Sequence, residues 1–557
     1  MKLSITIIGF ILIISACQSD SSMSVDVEEV PEGYLLADAD LPDYEQNLDH
    51  AALIKTESEE FYHKGMITYR TVCYNCHGNE EQPGSMPNST KFWKDEFKNG
   101  ADPYAMYQTL TKGFGLMAPQ VRLSPKEKYD VINFIREEYM QEQNPSQYIE
   151  VDSAYLASLP RGNTLGPDPT KYQPWAEMDY GDFFIHTYDF ADSNDPPRQR
   201  NQRGSPIPNE DLRDRNFAYK GIAIRLNKGK GGVAAGNAFA LFDHDLLRFT
   251  GFWTGDGFID YRSILLNDEH NIYPRTVGTK QLENPITPGW ENPVTKDFID
   301  PRFVAVDGRP FGPLPKQWAH YKGVYYHGQK VIIKYTVGEA TVHELYALER
   351  AGDIPVISRT LNISKSSVPL TMRILPDQYA VAVMGGKKAI ENGFHVLKVP
   401  ANTVLQAKIL MAAKDSKALE LLSRKLPEAE DLSKYTKGGP SHYVDQVLTS
   451  PIIKGEEKGA YAEDVFVLPQ ENPWKSRMRP SGIDFIKGGK EAIVTTIDGE
   501  VWRLEGILQE EGNVKWHRIA TGLFQPLGVR YINDAIYVGC RDAIYVLRDL
   551  NLSLIHI

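Results

Sequence analysis

Apolar residues recur at helical spacing in the N-terminal part of the chain, between residues 51 and 148. The stretch "TESEEFYHKGMITYRTV" starts at Thr56, which is a potential helix N-cap. The stretch "LSPKEKYDVINFIREEYM" offers Ser124 as N-cap, Pro125 at the first helical position and Glu127 to complete a capping box. Two amphipathic helices are therefore expected to bracket an all-α domain at 51–148.

Between residues 176 and 425 the pattern changes to short apolar, β-branched and aromatic runs. The stretch "GVYYHGQKVIIKYTVGEATVHELYAL" contains three such runs separated by turn-like segments, which is typical of an antiparallel meander. We predict an all-β, sandwich-like domain here, with the helix "SKALELLSRKL" near its end. A Gly-, Pro- and Thr-rich stretch before this domain predicts a linker at 149–175.

The last segment, residues 471–557, alternates short strands with tight turns, and "PLGVRYINDAIYVGCRDAIYVLRDL" repeats the rhythm that precedes it. Short strands with this internal similarity are typical of propeller blades. Fewer than two blades are present, whereas the smallest closed propellers need about four. We predict an incomplete β-propeller that follows a linker at 426–470. A chain of 557 residues is also long enough for several domains.

The N-terminus has the pattern of a targeting segment. Lys2 is followed by an apolar run that ends at Ala16 and is too short to span a bilayer as a mature helix. The ending "ISAC" resembles the bacterial lipobox, which implies a lipoprotein signal peptide at 1–17 and a lipidated Cys17. The alternative is an ordinary signal peptide. A polar tether at 18–50 follows, so we expect an exported, membrane-anchored protein that is periplasmic or associated with the outer membrane.

Charge and cysteine content restrict the partners and the cross-links. The chain has 61 basic and 73 acidic residues and no long Lys/Arg block, so nucleic acid is not expected as a partner. It has four cysteines, at positions 17, 73, 76 and 540. If Cys17 carries lipid, and Cys73 and Cys76 have a chemical role, only Cys540 remains for a disulfide. An intramolecular structural disulfide is then not expected.

The motif "CYNCH" carries the clearest chemistry in the chain. In Cys-x-x-Cys-His the two thiols, here Cys73 and Cys76, lie about one helical turn apart and can form thioethers to one haem. The next residue, His77, is then placed to ligate the iron. A structural zinc site needs two further Cys or His ligands nearby, and a thioredoxin-type pair needs a βαβ context. Neither is present in the sequence, so we predict one covalent haem c.

Residues 52–142 resemble class I cytochrome c, through a helix, "CYNCH", a loop-rich middle, a methionine and a last helix. Gly65 and Tyr69 stand where that family places a small residue and an aromatic residue at the crossing of its first and last helices. Pro87, or alternatively Pro83, stands where the family often has a proline whose carbonyl accepts a hydrogen bond from the ligand imidazole.

The resemblance also implies a second axial ligand. Met117, four residues after Gly113, matches that position, although Ala118 separates it from the proline that usually follows directly. The rival ligands are Met86, Met106 and His63. Iron with His and Met ligands has no open position, which implies outer-sphere electron transfer with a redox protein partner rather than bond chemistry.

The other regions resemble modules of large exported bacterial proteins. Residues 176–425 resemble an uncharacterised β-rich domain, and 471–557 resemble a sugar-dehydrogenase propeller whose catalytic and calcium residues would lie beyond this sequence. The ending "LSLIHI" resembles sequencing-adapter read-through, so we expect a truncated chain. Isolated His and Asp residues of the β-rich segment are expected to be structural, and no catalytic residue is assigned; they are His186, Asp243, His244, Asp245, His320 and His327.

Three functions remain open at this point. The first is a haem-binding electron-transfer lipoprotein, which needs only the four haem residues. The second is a haem-containing dehydrogenase that oxidises a sugar or alcohol in a complete propeller. The third is a carbohydrate-binding surface lipoprotein.

Overall fold

The structure is a computed structural model that divides into two compact units, Met1–Thr170 and Lys171–Ile557. It describes residues 36–55, 59–168, 173–192, 215–229, 231–255, 257–261, 274–304, 308–437, 443, 447–455, 461–509, 512–548 and 554–556. The predicted signal peptide, Cys17, most of the tether and the predicted cap at Thr56 lie outside these residues. No described helix is long and apolar enough to cross a membrane.

The first unit is helical, as the sequence predicts. Its helices are α1 (His50–Lys55), α2 (Glu59–Thr68), α3 (Tyr74–His77), α4 (Pro103–Lys112), α5 (Pro125–Ile135) and α6 (Ser153–Ser158), with 3-10 turns at Asp38–Asp40 and Asp43–Asn47. The capping box at Ser124 is confirmed: its side chain accepts from the Glu127 backbone N–H, and the Glu127 carboxylate accepts from the Ser124 backbone N–H. π-helical turns at Tyr69–Cys73 and Arg136–Met140 extend α2 and α5.

Helices α2 and α5 approach each other closely at Gly65. A methyl carbon built on Gly65 would lie 1.9 Å from the backbone oxygen of Asp130, so only glycine fits at this point of contact. Tyr69 is fully buried beside it, with its ring 5.3 Å from those of Phe134 and Tyr139. The small residue and the aromatic residue thus lie at the helix crossing, as the resemblance implies.

The segment predicted as a linker at 149–175 is partly folded against the first unit. It contains α6, whose Tyr155 hydroxyl donates to Asp102 Oδ1 at 2.8 Å. The backbone N–H groups of Asn163 and Thr164 donate to the carbonyl of Asn47. These contacts fasten the end of the segment to the residues that precede α1.

The second unit is β-rich, as predicted, and begins with a short helix, α7 (Pro174–Glu177). Seven of its first strands form one sheet in the order β5-β6-β1-β2-β3-β4-β7, while β8 and β9 form a separate hairpin. The strands are β1 (Phe183–Phe190), β2 (Asn216–Arg225), β3 (Ala238–Asp243), β4 (Arg248–Thr254), β5 (Ile259–Asp260), β6 (Arg275–Thr276), β7 (Thr279–Glu283), β8 (Phe303–Val304) and β9 (Pro310–Phe311). Strands that are buried along their whole length, such as β1 and β3, place this sheet inside the unit.

A second group of strands follows and shares its core with the first sheet. It forms a six-stranded sheet, β10-β11-β12-β13-β18-β15, and a three-stranded sheet, β14-β17-β16. Tyr335 on β11 contacts Phe242 on β3 and Trp290, with ring centroids 5.7 Å and 6.3 Å apart. The strands are β10 (Ala319–His327), β11 (Lys330–Val337), β12 (Ala340–Ala351), β13 (Ile354–Ile363), β14 (Leu370–Pro376), β15 (Ala380–Met384), β16 (Lys387–Glu391), β17 (Phe394–Val399) and β18 (Leu405–Ala412), and α8 (Ser416–Ser423) comes after them.

The C-terminal strands belong to the same compact unit. They form two antiparallel sheets, β20-β19-β24-β23-β22-β21 and β25-β26-β27-β28. The backbone N–H of Ile185 donates to Gly522 O, and that of Asp179 donates to Trp474 O, both at 2.8 Å. Strands β19 and β20 lie in the predicted linker 426–470, and the incomplete β-propeller stays a prediction. The strands are β19 (Val447–Ile453), β20 (Val465–Phe466), β21 (Pro480–Ile486), β22 (Glu491–Thr496), β23 (Val501–Glu505), β24 (Asn513–Ala520), β25 (Gly528–Ile532), β26 (Ala535–Gly539), β27 (Ile544–Arg548) and β28 (Leu554–His556).

Candidate functional site

The first unit contains a cavity of about 530 Å³. Cys73, Cys76, His77 and Met117 all line it, although the methionine lies forty residues beyond the histidine. A volume of this size is typical of small-molecule and cofactor sites. The fold therefore brings the four residues singled out in the sequence to one place.

The CYNCH segment is shaped by two changes in backbone conformation. The π-helical turn Tyr69–Cys73 leads into α3, and Gly78 ends α3 with a φ of 73°, a left-handed conformation that favours glycine. The Tyr69 hydroxyl donates to the Gly78 carbonyl at 2.6 Å. The buried aromatic residue at the helix crossing thus also fixes the end of the segment that carries both cysteines.

His77 has one nitrogen engaged by the protein. Its Nδ1–H donates to the carbonyl of Thr90 at 2.9 Å, so Nε2 is the nitrogen available to a ligand. Its ring stacks on Phe92, with centroids 4.6 Å apart. Burial lowers the pKa of His77, the Thr90 carbonyl opposes this, and the nearby charge of Lys91 adds to the lowering. The neutral imidazole, which is the form that binds metals, is therefore favoured.

The acceptor for His77 differs from the one that the resemblance implies. The carbonyl that accepts from Nδ1 belongs to Thr90, not to Pro87 or Pro83. The loop after Gly78 folds back tightly: a methyl carbon at Gly84 would lie 2.1 Å from the Cys76 oxygen. The residue whose carbonyl contacts the imidazole, Thr90, therefore comes after both prolines in the chain.

Both cysteines of the motif are free thiols on the cavity wall. Cys73 is only 9% exposed, and burial, reinforced by the proximity of Cys76, raises the pKa of its thiol to about 12. Cys73 is therefore a neutral thiol at physiological pH. Cys540, the third described cysteine, is also free and belongs to the second unit.

Met117 is presented by a tight turn after α4. Phe114 and Met117 exchange two backbone hydrogen bonds, each of 2.9 Å, and Gly115 between them has a φ of 56°. Met117 is half-buried and packs against the core of the first unit. After the turn the backbone N–H of Gln120 donates to the carbonyl of Leu110 on α4 at 2.7 Å, so the segment that carries Met117 is held between this bond and the turn.

The rival ligands divide into two groups. Met86 and Met106 line the same cavity, Met86 at 37% exposure and Met106 buried at 6% on α4. His63 is exposed on α2 and does not line the cavity. The geometry therefore removes the histidine from the set of ligand candidates and leaves the three methionines at one site.

Sequence reasoning missed the polar residues that hold the loop between Cys76 and Phe92. The Lys91 ammonium group donates to the carbonyls of Cys76 and Met86 and to Ser89 Oγ, at 3.3, 3.1 and 2.8 Å. Ser89 Oγ in turn lies 2.6 Å from the Cys76 carbonyl oxygen. No motif marks these residues, because their role depends on the path of the loop.

Three of the six histidines and aspartates named in the second unit are held in structural pairs. His186 contacts the Tyr261 hydroxyl at 2.7 Å, Asp243 pairs with Arg248, and His244 Nε2 lies 3.3 Å from Asp542 Oδ2. The other three, Asp245, His320 and His327, belong to no described group of three or more His, Cys, Asp or Glu residues that could hold a metal ion.

Two segments of the chain match known families. Residues 240–344 match a domain of unknown function (DUF6797), and residues 61–135 match the cytochrome c oxidase, cbb3-type, subunit III family. No curated protein matches the chain. The second match contains all four cavity residues that the sequence singled out. Residues 61–135 are thus a cytochrome c-like domain, which implies haem c as a cofactor and redox proteins as partners.

Proposed function

We propose that this protein is a haem-binding electron-transfer protein. One haem is attached through thioethers to Cys73 and Cys76, and its iron is ligated by His77 and Met117. The observation that carries this proposal is that these four residues line one cavity inside a cytochrome c-like domain.

The residues around the cavity fit a c-type haem. His77 Nδ1 is fixed by the Thr90 carbonyl, which selects the tautomer whose Nε2 can bind iron and sets the orientation of the ring. Phe92, Leu110 and Ile135 supply apolar wall. An apolar wall with a few directed polar groups is the usual character of a cofactor site.

The haem would supply reversible one-electron exchange, with its iron held by His77 and Met117. Met117 contributes a neutral thioether, which favours the ferrous state relative to a second imidazole. The cavity reaches the surface beside Leu116, which lines it and is 64% exposed. A redox partner protein is expected to dock at this opening.

The same proposal includes the anchoring of the protein. A lipid on Cys17 would hold it at a membrane, in the periplasm or at the outer membrane, and the support for this is the "ISAC" sequence. The dehydrogenase and carbohydrate-binding alternatives stay predictions, since no contact among the described residues of the second unit favours either.

The proposal is tested by expressing the protein with the machinery that matures c-type cytochromes. Wild-type protein should keep its haem on a denaturing gel, and the double variant Cys73→Ala, Cys76→Ala should lose it. Cys540→Ala is the matched control, since it removes a free thiol that belongs to the other unit and should retain haem. A wild-type protein without covalent haem would refute the proposal.

A further inference from the structure

Lys91 is a buried cation beside the haem-attachment segment. The residue is only 8% exposed, and its ammonium group makes three hydrogen bonds, to two carbonyls and a hydroxyl. An ammonium group has three N–H donors, so its donor capacity is fully used. All three acceptors lie between Cys76 and Ser89, within one loop.

The charge of Lys91 is balanced by dipoles rather than by an anion. In the part of the chain that the structure describes, no carboxylate pairs with this ammonium group. Asp95 accepts from the backbone N–H of Lys91, at 2.7 Å, and not from its side chain. Burial of an unpaired charge is costly, so its position beside the cavity indicates a role beyond packing.

The hydrogen bonds of Lys91 join the two ends of the loop that supports His77. Cys76 precedes the imidazole, and Met86 and Ser89 precede Thr90, whose carbonyl accepts from His77 Nδ1. Ser89 Oγ lies 2.6 Å and 2.8 Å from the same two carbonyl oxygens and strengthens this junction. Loss of the ammonium group would leave those carbonyls without their charged donor.

A fixed positive charge near an iron centre also has an electrostatic effect. Oxidation adds one positive charge to the iron, and a nearby cation disfavours that step, most strongly where water is excluded. From these contacts we infer that Lys91 is a positioning residue of the proposed haem site, which holds the loop that orients His77 and raises the reduction potential. This inference rests on the proposed function.

The test measures the reduction potential of holoprotein variants. Lys91→Gln keeps two N–H donors but removes the charge, and Lys91→Arg keeps the charge. Lys98→Gln is the matched control, because Lys98 lines the same cavity but is exposed. We expect Lys91→Gln to shift the reduction equilibrium at least about tenfold toward the oxidised state, which is 59 mV for one electron. Lys91→Arg should restore the wild-type value, and Lys98→Gln should change it much less.

The outcomes separate the inference from the proposed function. The positioning role is also supported if Lys91→Gln binds less haem than wild type and Lys91→Arg binds the wild-type amount. Wild-type haem content and wild-type potential in Lys91→Gln would overturn the inference, as would an equal shift in Lys98→Gln. A wild-type protein without haem would instead refute the proposed function.

Discussion

Two histidines, one in each unit, show how a candidate ligand differs from a structural residue. His77 in the helical unit lines a cavity and has its Nδ1 engaged by a carbonyl, so its second nitrogen remains for a ligand. His186 in the β-rich unit has both nitrogens engaged: Nδ1 accepts from the Thr187 backbone N–H at 2.8 Å, and Nε2 contacts the Tyr261 hydroxyl. Burial alone therefore does not identify a ligand histidine.

The largest difference between the two units is expected when His77 and His186 are each replaced by alanine. His77→Ala should lower the amount of low-spin haem protein on the order of tenfold or more, since even groups that only support a metal ligand matter this much. His186→Ala should leave the haem spectrum unchanged, because its contacts lie within the other unit. Absorption spectra of both purified variants make the comparison. An altered spectrum in His186→Ala would contradict it.

Exchange of the second ligand is expected to have the next largest effect. Met117→His replaces a thioether with an imidazole, which should lower the reduction potential markedly, within the roughly 0.8 V range that axial ligands set, while the haem stays attached. Met106→Leu, which alters a buried methionine on the same cavity, should leave the potential near the wild-type value. If Met106→Leu changed the potential and Met117→His did not, the ligand assignment would move to Met106.

Acid should destabilise the β-rich unit through His186. Burial lowers the pKa of this group to about 3, whereas its value in the unfolded chain is near 6.5. Between these values the unfolded state binds more protons, so the free energy of unfolding falls as the pH falls through this window. The loss should reach about 3 kcal/mol at pH 4. Denaturant titrations should show a flatter pH dependence for His186→Gln than for wild type, and equal slopes would exclude this role.

A pair of glycine variants gives the smallest expected effects. Gly65→Ala forces a methyl carbon against the Asp130 carbonyl and should lower the free energy of unfolding of the helical unit by about 1–3 kcal/mol. Gly528→Ala in the β-rich unit meets open space and should change stability by less than about 0.5 kcal/mol. Denaturation followed by haem absorbance measures the helical unit for the first variant. Tryptophan fluorescence measures the β-rich unit for the second, because seven of the eight tryptophans belong to that unit. Equal losses in both variants would contradict the close helix contact.

The parts of the site that the sequence could predict depend on short-range geometry. The capping box at Ser124 and the spacing of Cys73, Cys76 and His77 are local patterns, since each is set by one or two helical turns. Gly65 was placed by resemblance to a family and lies at the helix crossing. The capping box and the motif needed no knowledge of how distant segments meet, whereas the contact at Gly65 came only from the resemblance.

The parts that the sequence could not supply depend on the path of loops. The partner of His77 is Thr90 rather than Pro87, because the loop folds back tightly at Gly84. The role of Lys91 follows from the same path and leaves no sequence signal. In the β-rich unit, strands β19 and β20 come from a segment predicted as linker. Strand β20 pairs with β19, and β19 pairs in turn with β24, which lies some sixty residues further along the chain.

The most direct test of the central claim is mass spectrometry of the tryptic peptide Thr71–Lys91, which contains Cys73, Cys76 and His77 and no internal Lys or Arg. The protein is produced with c-type maturation machinery and denatured before digestion. We expect this peptide to carry the mass of one haem joined through both cysteines. Recovery of the peptide with two unmodified thiols, from protein matured under conditions that load a known c-type cytochrome, would contradict the account.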